Sequence, residues 1–176
     1  MKKVLALVLA LTLLVAGIVG GTLAWLTDQT AEVKNTFTVG DINIGLTETT
    51  TDYKMVPGNT IAKNPTVTVK ADSEACWLFV KVTESTDLKN FITYAIAEGW
   101  TALPGVDGVY YREVPASAAD QTFSVLADDA VTVKSDVTRT MLETAKTDAP
   151  TLTFKAYAIQ RDHFATADAA WAEVSK

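Results

Sequence analysis

Cys76-Trp77-Leu78-Phe79-Val80-Lys81-Val82-Thr83 alternates two sets of side chains at the period of a β-strand. Cys76, Leu78, Val80 and Val82 form one face. Trp77 and Phe79 load the other, and Lys81 and Thr83 return that face to solvent. A strand apolar on both faces over half its length belongs in the middle of a sheet, covered on both sides.

Working outward, the same period recurs on either side. Residues 37–47 alternate, with Ile42, Ile44 and Leu46 opposed to Asp41, Asn43 and Gly45. Pro57-Gly58-Asn59 signals a turn, because proline presets one dihedral and glycine supplies a positive one. Residues 66–70 carry Val67 and Val69 on one side. Residues 94–101 and 108–114 read as a hairpin around the turn-rich Leu103-Pro104-Gly105-Val106-Asp107-Gly108. Residues 121–126 and 130–134 predict two further short strands, and residues 152–160 a long one. Helical signals are few. Short helices are predicted within 85–91 and 135–146, and a clearer one over 167–174, capped by Thr166, with Trp171 and Val174 sharing a face that docks on the body. The expected fold is all-β: a single antiparallel sandwich, jelly-roll-like, with a short C-terminal helix and one or two minor helices.

The N-terminus is of another kind. Lys2 and Lys3 precede an apolar run from Val4 to Val19, and Gly20-Gly21-Thr22-Leu23-Ala24 closes it with small residues. This is the three-part pattern of a secretory signal peptide, with Thr22 and Ala24 placed for the two small pockets of a signal peptidase. Cleavage is expected between Ala24 and Trp25. A retained anchor helix is the competing reading. The apolar run is short for a span of about 20 residues, however, and no basic cluster follows it. The expected organisation is a signal peptide over 1–24, an N-terminal arm over 25–36 and a β-sandwich domain over 37–176.

Charge and composition exclude several functions. Taking Lys2 and Lys3 from the 15 basic side chains leaves 13 against 21 acidic ones, a formal charge of −8. Such a chain lacks the clustered cations that nucleic acid and anionic membranes require, so no nucleic-acid partner is expected, and membrane contact only through the uncleaved signal peptide. With Cys76 alone, no intramolecular disulfide can form. A zinc hydrolase needs three or four ligands, mostly His and Cys, and only His163 and Cys76 are on offer. A serine triad would have to recruit that same His163, and no G-x-S-x-G elbow is present. Asp107, Asp128, Asp129 and Asp136 lack the spacing that gathers carboxylates around calcium. The chain is therefore read as a non-enzyme with no cofactor and no metal site.

The segments Gly20-Gly21-Thr22-Leu23-Ala24-Trp25-Leu26-Thr27-Asp28 and Asn35-Thr36-Phe37-Thr38-Val39-Gly40-Asp41-Ile42-Asn43-Ile44 resemble the secreted bacterial proteins processed by a SipW-type signal peptidase, the group that includes TasA and camelysin. In that family a Gly-rich end of the apolar run leads to an aromatic residue and an Asp, and an N-x-F-x-x-G-x-L/I strand follows. The resemblance implies a jelly-roll-like sandwich, secretion from a Gram-positive-type cell, processing by that peptidase, and a role as a biofilm matrix or fibre subunit. It also implies self-association by strand addition, in which the freed arm pairs with an open sheet edge of the next subunit. Mapped onto this chain, the donor strand lies over 25–33, with Trp25, Leu26 and Val33 as pocket-filling side chains. The metalloprotease activity linked to camelysin is not carried over, because the zinc ligands are missing. Two other functions stand against the matrix reading: a secreted or cell-surface module that binds a protein or glycan, and, remotely, a metal-dependent protease.

Overall fold

A computed structural model of the chain describes residues 41–50 and 53–176. The described residues fall within one compact unit, Val39–Lys176. They are mostly β, with ten strands in three antiparallel sheets and few helices.

The strand β4, Cys76–Glu84, lies inside a four-stranded sheet of order β10-β4-β7-β6, with β10 at Leu152–Gln160, β7 at Val109–Val114 and β6 at Thr101–Ala102. Both of its faces are covered, as its sequence requires. Cys76, Leu78, Val80 and Val82 pack with Val67 and Val69 of β3, Thr66–Val69, which belongs to the sheet β1-β3-β8. In that sheet β1 is Ile44–Thr47 and β8 is Gln121–Ser124. Trp77 and Phe79, on the opposite face, pack with Leu103, Val109 and the C-terminal helix α3, Ala167–Val174. Lys81 and Thr83 are exposed.

The third sheet, β2-β9-β5, contains the strand expected over 130–134 as β9 and two short strands, β2 and β5, that the alternation does not mark. It comprises β2 at Thr60–Ala62, β9 at Ala130–Val133 and β5 at Ile92–Thr93. A separate core of Leu88, Phe91, Leu126, Val131, Val133 and Val137 lies against it. This second core also receives two short helices, α1 at Leu88–Phe91 and α2 at Arg139–Ala145, the latter capped by the Thr138 hydroxyl accepting from Met141 N–H at 3.3 Å. The two three-stranded sheets meet through main-chain bonds from Lys63 N–H to Asp129 C=O at 2.7 Å and from Val125 N–H to Pro65 C=O at 2.9 Å. β2 therefore runs on into β3, and β8 into β9.

One strand expectation is corrected. Residues 94–101 do not form a continuous hairpin arm: β5 ends at Thr93 and pairs with β9, and only Thr101–Ala102 pairs with β7. The intervening chain follows the end of β8, with Ala97 N–H donating to Val125 C=O at 3.0 Å and Ala127 N–H to Ala95 C=O at 2.9 Å. Gly99, at φ +84°, then turns it toward β7. The strand expected over 37–47 is described from residue 41 onward and is regular over Ile44–Thr47; residues 37–40 lie outside the described part. At Pro57-Gly58-Asn59 the chain turns as read, with Gly58 at φ +80° and Asn59 N–H donating to Val56 C=O at 3.0 Å.

Candidate functional site

The expected cleavage residues Ala24 and Trp25, and the donor-strand residues Trp25, Leu26 and Val33, all lie outside the described residues. Among the described residues the longest strand at a sheet edge is β10.

β10 is nine residues long and stands at the end of its sheet, so one side of it pairs with β4 and the other has no partner strand among the described residues. The register fixes which main-chain groups face outward. Ser85 N–H donates to Thr151 C=O at 2.9 Å at one end, and Arg161 N–H donates to Ala75 C=O at 2.9 Å at the other. In an antiparallel ladder, hydrogen-bonded pairs recur at every second residue. Thr153, Lys155, Tyr157 and Ile159 therefore bond across to β4. Leu152, Phe154, Ala156, Ala158 and Gln160 turn their N–H and C=O away from it, toward the open side. On β4 the complementary set bonds to β7, as Val82 N–H to Gly108 C=O at 2.7 Å attests.

Side chains divide by the same parity. Leu152, Phe154, Ala156 and Ala158 face the first core, whereas Tyr157 and Ile159 face α3. Lys155 is the one charged side chain on the strand and is exposed. A long edge with a single lysine is weakly guarded against pairing.

Beside the Leu152 end of this edge lies a half-enclosed groove of about 470 Å³. Met55, Ile61, Ile92, Val131 and Leu152 make it largely apolar. Lys63 is buried beside it, with its ammonium 2.7 Å from Glu48 Oε1 and over the rings of Tyr53 and Phe154, at 4.7 and 5.4 Å from their centroids. The Tyr53 hydroxyl donates to the same Glu48 oxygen at 2.7 Å. Burial and that carboxylate together push the Tyr53 phenol well above its ordinary range.

The residues weighed for chemistry fall apart in space. Cys76 is fully buried in the first core, and burial pushes its thiol up to about 11. His163 is exposed in the 3₁₀ turn Arg161–His163. Asp128 and Asp129 sit in the turn before β9, both at positive φ. No group of three or more His, Cys, Asp or Glu side chains placed to hold a metal ion occurs among the described residues. Nor is any helix among them long and apolar enough to cross a membrane.

No protein-family model, no curated protein and no solved structure matches this chain.

Proposed function

We propose that the chain is an exported structural protein, a matrix or fibre subunit, that self-associates by adding a strand to the open edge of β10. The reading rests on one observation: nine residues of edge strand direct five sets of main-chain donors and acceptors to a side with no partner among the described residues. Exposed ladder groups of this kind pair readily with an incoming strand. The apolar groove at the Leu152 end offers a place for a side chain of that strand. The candidate donor is the arm over 25–36, once cleavage after Ala24 has freed it. The sheets β1-β3-β8 and β2-β9-β5 make one bent layer in this reading, opposed to β10-β4-β7-β6 as in a jelly-roll-like sandwich. Secretion and processing by a SipW-type peptidase belong to the same proposal, carried by the N-terminal sequence.

The test is assembly of the form beginning at Trp25, followed by light scattering and electron microscopy. Ala156→Pro removes an N–H that points to the open side, leaving the ladder to β4 intact. It is expected to abolish assembly and leave a folded monomer. Deleting 25–36 is expected to do the same. Assembly that survives both changes, or a parent protein that stays monomeric at high concentration, refutes the proposal.

A further inference from the structure

A second cleft lies where the end of β4 meets the segment after β5, and it shares Leu88 and Ile92 with the groove beside β10. Two hollows, of about 390 and 380 Å³, adjoin there and share Glu84, Tyr94 and Tyr110. Each falls within the range of about 300–1,000 Å³ usual for ligand sites. The Tyr94 hydroxyl donates to the Glu84 carboxylate, which ties the ring in place. Tyr94 and Tyr110 are half-buried: each packs against the first core and leaves part of its ring at the surface.

We infer that this cleft binds a neutral, hydroxyl-rich polysaccharide chain. Three features carry the inference. Part-exposed tyrosine rings are flat, rigid and amphipathic, and match the C–H face of a sugar ring while leaving hydroxyls free at its rim. Glu84, Asp107, Lys81 and Lys89 surround them with acceptors and donors, all exposed and able to reach sugar hydroxyls. Those four charges cancel, so a polymer of either sign gains nothing from the site, and a lipid would strand them. With three lining residues in common the two hollows adjoin, which gives room for successive residues of a chain. Holding Tyr94 on Glu84 before binding lowers the ordering cost on association.

Affinity electrophoresis tests this directly. The cleaved protein is run in native gels holding hydroxyethyl cellulose, mixed-linkage β-glucan, xylan or galactomannan, and in gels holding polygalacturonate or no polymer. Retardation by at least one neutral polysaccharide is expected. Tyr110→Ala should weaken it about tenfold, equivalent to about 1.4 kcal/mol, while Tyr110→Phe keeps the ring and the affinity. Should Tyr110→Ala fail to fold, the double change Glu84→Gln with Asp107→Asn replaces only exposed side chains and is expected to shift retardation as well. Absence of retardation in every neutral gel, retardation by polygalacturonate alone, or folded variants that bind like the parent would overturn the inference. The Ala156→Pro monomer should bind as the parent does, so failure of assembly and failure of glycan binding are read separately.

Discussion

Lys63 Nζ lies 2.7 Å from Glu48 Oε1, with the two side chains only 9% and 17% exposed. The pair ties the segment after β1 to the segment joining β2 to β3. Lys63 reaches it because Ala62 and Asn64 flank it at the bend between the two small sheets. Two charges withdrawn from water gain little over a well-packed apolar pair, but removing one of them leaves the other stranded. Glu48→Ala is expected to cost about 3 kcal/mol, because it leaves the buried Lys63 ammonium without its carboxylate, while the Tyr53 hydroxyl keeps the Thr50 C=O as acceptor. Lys63→Met combined with Glu48→Gln should cost less than Glu48→Ala alone. Urea denaturation of the two variants checks the order, and equal losses would show that the pair is not coupled.

Gly108 meets the chain more closely than any other glycine described. A Cβ there would run into the carbonyl oxygen of Val82, and the backbone sits at φ +71°. Gly105, in the same turn, has a similar φ of +73° and open space around it. Gly105→Ala should therefore cost about 1–2 kcal/mol, the ordinary penalty of the left-handed conformation. Gly108→Ala should cost clearly more, since the β4–β7 ladder must part at Val82 to admit the methyl group. Thermal melts of the two variants decide it, and equal shifts would show that the close approach relaxes without cost.

Trp171 holds α3 on the sheet. Its ring lies 5.3 Å from Phe79 and 5.1 Å from Tyr157, the latter edge-on at 82°. The Trp77 indole N–H donates to Phe164 C=O at 3.1 Å and fixes the turn that delivers the helix. Thr166 caps it, accepting from Ala169 N–H at 3.3 Å. Trp171→Ala is expected to cost about 3 kcal/mol, and Thr166→Ala about 1 kcal/mol. Trp171→Ala should also raise amide exchange in α3 and along the odd residues of β10 and β4, while the first core keeps its protection. Uniform loss of protection would mean that α3 is not a separable unit.

Those contacts also show what a single chain of letters reveals. β4 was legible because its own side chains alternate on both faces and reach solvent only at Lys81, Thr83 and Glu84. β10 was equally plain, and so was α3, whose cap and docking residues lie within nine positions of one another. The stretch 94–101 was misread because its alternation serves a crossing. Ile96 makes one isolated bridge to Leu126, and the Trp100 indole N–H donates to Ser124 C=O at 2.9 Å, so tertiary partners replace a ladder there. β2 escaped notice because it has three residues and one large apolar side chain, Ile61. Lys63 reads as a surface lysine until Glu48 and the rings of Tyr53 and Phe154 are brought around it. Glu84, Tyr94 and Tyr110 likewise come from three separate segments, and no local pattern joins them.

Asp120 gives the fold a dependence on acid. Its carboxylate accepts from Ala71 N–H at 2.8 Å and from the Lys70 ammonium at 3.0 Å, tying the turn after β3 to the start of β8. The Ala71 N–H, with Lys70 second, holds the Asp120 carboxyl below its ordinary 3.8. A depressed folded value means that the unfolded chain takes up the proton first as pH falls. The stabilisation is therefore fully present above the ordinary value and disappears as pH drops through the folded one. Asp120→Ala should lower the melting temperature at pH 7 by a modest amount, because the group is exposed and screened by water. The gap from the parent should stay constant down to about pH 5 and close below about pH 4. Melting curves of both proteins across that interval check the sign, and a gap that widens in acid would show that the Asp120 contacts do not favour the ionised form.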